Sequence, residues 1–408
     1  MPNLKDLFQL NPQITFLNHG SFGAVPREVF HVYQEWQRRL EFQPVKFLGR
    51  EITALMQTAR ADLAAYLGAQ EDGILYFPNP TTAINMVARN MIPVPGESQP
   101  LRGKTFKLNP GDEILSSDHE YGAMDRTWDY VCRCSGASYR KQSVEMPVAD
   151  DPQGFVEHFW EGVSPRTRVI FISHITSSTA LIFPVKEICD RARQEGILTI
   201  IDGAHAPGQI NLDLTQLGAD IYTGACHKWL MAPKGSAFLY ARKEAQPWMD
   251  PLVISWGYSP DPGYGSNQPW IDYHEWQGTR DMAAFLSVPA AIEFQKTHNW
   301  QAVRDRCHHL SISLRREIQE LTGLEALCPE TSRWFAQMFS VRLPDKIDPK
   351  DLQLRLYQDF NIEVPVVKWK KDKLLRVSIQ GYNDQADTQA LIHALKDLLK
   401  QTYAQNQL

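Results

Sequence analysis

From Ile74 onward, short runs of apolar residues alternate with stretches whose apolar positions recur at helical spacing. ILYF at 74–77 precedes a helical pattern through Met91, EILSS at 113–117 precedes one beginning at Tyr121, VIFISH at 169–174 precedes one beginning at Pro184, and ILTII at 197–201 ends at Asp202. The rhythm predicts a mainly parallel sheet wrapped by helices. Strands covered on both faces explain why the runs are continuously apolar. Ligands of such sheets gather at the carboxyl ends of the strands. Upstream, a helix is predicted from Pro26 to about Leu40 and another from about Arg50 to Leu67, stopped by Gly68.

After about Ser287 the pattern changes to a long helix near 301–322, a strand QMFSVRL, a helix from Pro349, two strands near 362–367 and 374–379, and a final helix. The chain is therefore read as an N-terminal arm at 1–25, a large α/β domain at 26–287 and a smaller α+β domain at 288–408. A length of 408 residues exceeds what one core usually serves. The Gly-, Pro- and aromatic-rich segment 257–273 is expected to be a long ordered loop beside a site or an interface.

Charge narrows the partners. A net charge of −5, with Lys and Arg scattered, provides no basic field for a phosphate backbone, so nucleic acid is not an expected partner. MPNLKDLFQL lacks a secretory pattern and no run reaches the ~20 apolar residues of a membrane span, so the expected location is the cytoplasm. Six cysteines without a C-x-x-C pair are read as reduced thiols.

The strongest chemical signal is Asp202 with Lys228, each just past a predicted strand, in ILTIIDGAH and ADIYTGACHKW. An aldehyde cofactor needs a lysine to form an imine, and a pyridine ring that accepts electrons needs a carboxylate at its nitrogen. Alone, such an Asp is more often a helix cap and such a Lys a solvated charge; their joint context favours chemistry. In FPNPTTAIN, Thr81 and Thr82 stand where a strand gives way to a helix, so backbone N–H groups and hydroxyls can converge on a phosphate, with simple capping as the plainer reading.

D-G-A-H followed 26 residues later by H-K resembles the class V, fold-type I enzymes of pyridoxal 5'-phosphate (PLP). LNHGSFG at 17–23, DHEYGA at 118–123, HITSSTALIFPV at 174–185 and GACHKW at 224–229 are similar to its isopenicillin N epimerase-like branch, over about residues 14–382. The resemblance implies that Lys228 is the Schiff-base lysine, Asp202 the partner of the pyridinium nitrogen, His205 a hydrogen-bonding group near the ring hydroxyl, and His227 a phosphate ligand. It makes His119 the residue stacked on the cofactor, with Tyr121 as a neighbouring alternative. It places Ser177 near the ring hydroxyl, with Ser178 or Thr176 in competing register. The family often has a small hydroxyl residue where Ala225 stands, and Thr223 is a candidate replacement. Arg376 in LLRVSIQGYN implies a clamp for a substrate α-carboxylate, suited to a planar guanidinium, and Asn18 a further substrate contact. Thr279 and Arg280 in QGTRD resemble a loop by which one subunit of a homodimer completes the phosphate site of the other.

The substrate class implied is an amino acid or short peptide, and the reaction an epimerisation at Cα, with C–S lyase and aminotransferase chemistry as alternatives. A cysteine desulfurase would need a mobile cysteine between Phe339 and Arg376, and there is none. Two other classes were weighed. A nucleotide-binding loop at G-K-T is out of register, with Gly96 too far ahead of Gly103 and Ser98 in the required place. A zinc hydrolase would need His119, His205 and His227 to converge on a metal, beside an unfavourable lysine.

Overall fold

A computed structural model describes residues 4–94, 105–258, 266 and 268–405. The G-K-T reading around Gly96, Ser98 and Gly103 lies outside the described residues, as does much of the expected loop, at 259–265 and 267.

Twelve strands occur among the described residues: β1 Thr15–Phe16, β2 Ile74–Phe77, β3 Glu113–Ser117, β4 Ser138–Gln142, β5 Thr167–Ser173, β6 Leu198–Asp202, β7 Ile221–Ala225, β8 Ala237–Ala241, β9 Met338–Arg342, β10 Ile362–Glu363, β11 Val366–Trp369 and β12 Asp372–Ser378. Seven form one sheet in the order β2-β8-β7-β6-β5-β3-β4. Every pairing from β7 to β4 is parallel, and β8 alone runs against its neighbours β2 and β7. The continuously apolar runs are strands of this sheet, and β2, at one edge, is buried at every residue like β3, β7 and β8 because helices cover both faces. Parallel pairing brings the carboxyl ends of β3, β5, β6 and β7 to one edge. Ser173 is the register partner of Asp202, and Asp202 of Thr223.

Two strands of this sheet were missing from the sequence pattern. β4 is an edge strand whose residues remain largely exposed, so it carries no apolar run. β8 returns through a tight turn after Lys228 with no intervening helix, which breaks the strand–helix rhythm. The helix Ile52–Leu67 buries Met56, Leu63 and Leu67 and ends at Gly68 in the left-handed region, φ 60°.

The C-terminal part holds the antiparallel sheet β11-β12-β9, with Arg376 opposite Ser340. It also holds the helices Trp300–Thr322, Pro349–Phe360 and Gln385–Gln405. The N-terminal arm is stitched to this part: β1 pairs with β10, and the Ser378 amide donates to the Leu17 carbonyl at 2.9 Å. Gly23 then passes against the backbone of His227, where a Cβ would stand 2.2 Å from the His227 carbonyl oxygen. With φ at 70° as well, only glycine fits there. The arm therefore reaches the HK turn at the strand edge.

Candidate active site

At the carboxyl edge of the large sheet lies a cavity bordered by Asp202, His205, His227, Lys228, Thr81 and Tyr121. Asp202 is the last residue of β6 and is buried; its Oδ1 accepts from the Ala204 amide at 2.9 Å. Burial raises its carboxyl above the ordinary range, and the Lys228 charge opposes that. Lys228 follows β7 in the tight turn to β8. Burial brings its ammonium down to about 8; the Asp202 carboxylate works against this and the Arg376 charge reinforces it. The Lys228 Nζ is 3.2 Å from His205 Nε2.

The backbone of Lys228 is gripped from two distant segments. His19 of the arm bonds the Lys228 carbonyl oxygen through Nε2 at 3.1 Å, and its Nδ1 meets the Tyr382 hydroxyl at 3.0 Å. Complete burial lowers the His19 ring to about 3, so it is neutral. With the Tyr382 O–H donating to Nδ1, Nε2 carries the hydrogen given to the lysine carbonyl.

At the other end of the cavity the helix Pro80–Asn90 begins. Asn79 caps it: the Asn79 Oδ1 accepts from the Thr82 amide at 2.8 Å and from the Thr82 hydroxyl at 3.1 Å. The Thr82 amide and hydroxyl are thus both engaged in the cap, and Thr82 is not among the residues that border the cavity. Asn79, Pro80 and Thr81 do border it. The Asn–Pro start was a legible signal for the cap. His227 donates from Nδ1 to the Ser236 carbonyl at 3.0 Å, leaving Nε2 for another partner; burial lowers this ring to about 4.

Arg376 stands one side chain behind the cavity wall. Its Nη1 donates to the Ser177 carbonyl (2.8 Å) and hydroxyl (3.2 Å), and its Nη2 to the Ser21 hydroxyl at 2.8 Å. Ser21 and Ser177 themselves border the cavity. Ser21 passes its proton to Asn18 Oδ1 at 2.6 Å, and Asn18 Nδ2 donates to Glu363 at 3.0 Å. Asn18 is therefore a support for Ser21 and does not border the cavity. Ser21 was missed because only the fold brings it to Arg376. Among the described residues no carboxylate pairs with Arg376, its Nε is buried without a partner, and burial lowers the guanidinium to about 10. A buried cation held only by neutral acceptors is costly unless an anion joins it.

His119 departs from the expected stacking position. The Ser117 hydroxyl accepts its amide at 3.1 Å and turns the chain, so that its ring meets Thr179 at 2.8 Å and the Val144 carbonyl at 3.3 Å. The ring lies 4.4 Å from Trp369 and is buried away from the cavity. Beside it, Lys370 forms an ion pair with Asp118. DHEYGA thus latches the β11–β12 hairpin with its first two residues, and Tyr121 is the residue it presents to the cavity. Its Glu120, unremarked in the sequence, is half-buried and accepts from the hydroxyls of Ser117 and Ser173, each at 2.5 Å. Burial pushes this carboxyl up to about 7.

The three competing registers differ in their contacts. Ser177 borders the cavity, whereas the Thr176 hydroxyl is bound to Thr179 at 2.7 Å and Ser178 accepts Ser340 on its carbonyl at 2.8 Å. Thr223 does not replace the hydroxyl lost at Ala225, because its own donates to the Phe238 carbonyl at 2.7 Å inside the sheet. Thr279 lies in the loop between the helices Pro269–Glu275 and Ala283–Leu286, away from the cavity of its own chain. Arg280 is held there by the Glu275 carbonyl at 2.9 Å. The three histidines of the zinc reading do not converge, and no group of three or more His, Cys, Asp or Glu suited to a metal occurs among the described residues.

Comparison with known proteins adds four findings. A family model described as aminotransferase class-V matches residues 23–391. The isopenicillin N epimerase of Amycolatopsis lactamdurans is 36% identical over 405 residues, covering 98% of this chain and 98% of that protein. A probable chloroplastic L-cysteine desulfhydrase of Arabidopsis thaliana is 26% identical over 417 residues, 96% of this chain and 84% of that protein. A crystal structure of a cysteine desulfurase from Escherichia coli superposes with a TM-score of 0.79 at 21% identity, covering 97% and 98% of the two chains; that likeness concerns the fold.

Proposed function

Because the chain belongs to the class V aminotransferase family, we propose that it changes the bonds at Cα of an amino acid or short peptide, and that its reaction is an epimerisation. Pyridoxal 5'-phosphate is its cofactor. The cavity suits that group: a partly buried lysine and a buried carboxylate border it, together with His227 and the start of a capped helix. When bound, the cofactor supplies an aldehyde that condenses with amines and a ring that withdraws electrons from the bonds at Cα.

The residues divide the work as follows. Lys228 would hold the aldehyde, and its amine is the group that would carry the Cα proton. Asp202 keeps a positive charge on the ring nitrogen. Thr81 and His227 hold the phosphate, and His205 serves the ring hydroxyl with Ser177 nearby. Tyr121 covers the ring in place of His119. It is also the candidate for the second proton carrier that inversion requires, since it borders the same cavity as Lys228. Thr279 reaches the phosphate of a second subunit in a homodimer, the commonest symmetric assembly. The arm at 1–25, the large domain at 26–287 and the small domain at 288–408 then meet at this site in a cytoplasmic enzyme. No described helix is long and apolar enough to cross a membrane.

The observation that carries the substrate class is Arg376, a buried guanidinium with no carboxylate partner among the described residues, one hydroxyl removed from the cavity. An α-carboxylate would complete it, with about 1.5–3 kcal/mol expected for a hydrogen bond to a charged group. The test incubates the loaded enzyme with a panel of amino acids and short peptides in D2O, following Cα exchange, 2-oxo acid, and pyruvate with sulfide. Exchange with inversion is expected. Arg376→Gln is expected to raise KM by roughly 10- to 100-fold, which is 1.4 to 2.8 kcal/mol. Persistent 2-oxo acid would replace epimerisation by transamination, and an amine panel that never perturbs the cofactor spectrum would overturn the amino-acid reading. Elimination is the second reading, supported by the likeness to a desulfhydrase; pyruvate and sulfide from cysteine would establish it. Desulfurase chemistry gains no support from Cys328, which is buried against Arg315 with its thiol pushed up to about 11 by burial.

The Lys228 amine also sets a pH dependence. Only the unprotonated amine attacks an aldehyde, so capture of cofactor by the cofactor-free protein is expected to accelerate with rising pH, with a midpoint near 8. Absorbance stopped-flow across pH 6 to ~11 measures it. A midpoint at the ordinary lysine value of 10.5 would contradict the burial of this amine.

A further inference from the structure

His205 lies between two nitrogens. Its Nδ1 is 3.3 Å from the indole Nε1 of Trp229, and its Nε2 is 3.2 Å from Lys228 Nζ. Both aromatic residues are buried, Trp229 completely. An indole nitrogen only donates, so Nδ1 of His205 must be the acceptor. Burial and the neighbouring cationic groups hold the ring neutral, and a neutral imidazole with a bare Nδ1 carries its hydrogen on Nε2.

We infer that Trp229 is a positioning residue that locks His205 in the Nε2–H tautomer, making it a permanent hydrogen-bond donor toward Lys228 and toward the cofactor oxygen beside that lysine. Two consequences follow. An ammonium at Lys228 would face a second N–H, whereas the neutral amine offers a lone pair, so the locked tautomer favours the nucleophilic form of the lysine. His205 is also excluded as a base at Nε2, which leaves Cα proton transfer to Lys228 and Tyr121. Trp229 is held at both its backbone and its ring: Gln295 Nε2 donates to the Trp229 backbone carbonyl at 3.0 Å, and the His19 ring lies 5.0 Å from the indole. The next residue after the HK pair thus acts on the lysine through the histidine of DGAH.

The inference rests on Lys228 being the reacting amine, and its test separates the two claims. The tautomer is read by 15N NMR of histidine-labelled, cofactor-free protein, the His205 signals being those lost in His205→Gln. One protonated Nε2 and one unprotonated Nδ1 are expected in the unsubstituted chain. A protonated Nδ1 would overturn the lock whatever Lys228 does. Trp229→Phe keeps the ring packing and removes the donor; it is expected to give mixed tautomers and to move the midpoint of cofactor capture upward by about half a pH unit to one unit, since a freed Nε2 lone pair would then stabilise the ammonium. An unaltered tautomer and midpoint in a Trp229→Phe protein of unchanged thermal midpoint would refute it. If instead Lys228→Ala still captured cofactor covalently at the site, the reading of the lysine would fail while the tautomer result stood.

Discussion

Lys228→Ala is expected to lose turnover by at least ~10³-fold and, in the same protein, the visible absorption of the cofactor joined to the lysine. The lysine is the sole amine bordering the cavity among the described residues, and the two losses share one cause: no other amine is placed to hold the aldehyde or to take the Cα proton. The substitution removes a buried charge and leaves Asp202 and His205 without their cationic neighbour, so the fold is expected to survive with the phosphate end intact. Absorbance spectra, turnover, and peptide mapping after borohydride treatment of the unsubstituted enzyme measure the effect together. The mapped adduct belongs on the peptide containing Lys228. An alanine protein with wild-type absorption would end the assignment.

Asp202→Asn tests the opposite end of the electron flow. The carboxylate is buried at the end of β6, with a single backbone N–H on Oδ1. The isosteric amide keeps that size but carries no charge, so the ring nitrogen loses the group that holds its proton. A fall of roughly 10² to 10⁴ in kcat is expected, with cofactor affinity changed by less than ~10-fold because the phosphate end is untouched. Glu120 sharpens the expectation. It lies near enough for the Asp202 charge to help raise its own carboxyl, which burial pushes up to about 7, so near neutral pH part of Glu120 is protonated. Unchanged turnover in Asp202→Asn would show that another group protonates the ring, and Asp202→Asn combined with Glu120→Gln would then identify whether Glu120 is that group.

The chemistry that sequence made visible was carried by short-range patterns. Buried parallel strands read as unbroken apolar runs, so the first polar residue after such a run is a strand end, and Asp202 and Lys228 were located this way. The same logic brought out Thr81 beside a strand end and Gly68 at a helix stop. Edge strand β4 and the reversal at β8 escaped because neither leaves that pattern: one strand is exposed, and the other follows a turn with no helix.

Side-chain direction was a different matter. Position along the chain put His119 and Tyr121 two residues apart with equal claims to the cavity, and only the capture of the His119 ring by Thr179, Val144 and Trp369 turned one away from it. Thr82 was separated from Thr81 by the Asn79 cap. Arg376, Ser21 and Asn18 form one hydrogen-bonded line although more than 350 residues separate Ser21 from Arg376, and Trp229 meets His205 across 24 residues and a sheet edge. By itself the sequence determined the strand order's periodicity, the family resemblance and the chemical types at the strand ends, because burial of a strand or a helix face is written in neighbouring residues. Which of those side chains enter the cavity, and which serve as supports behind it, was decided by tertiary structure alone, because a buried polar atom goes wherever the folded chain offers it a partner.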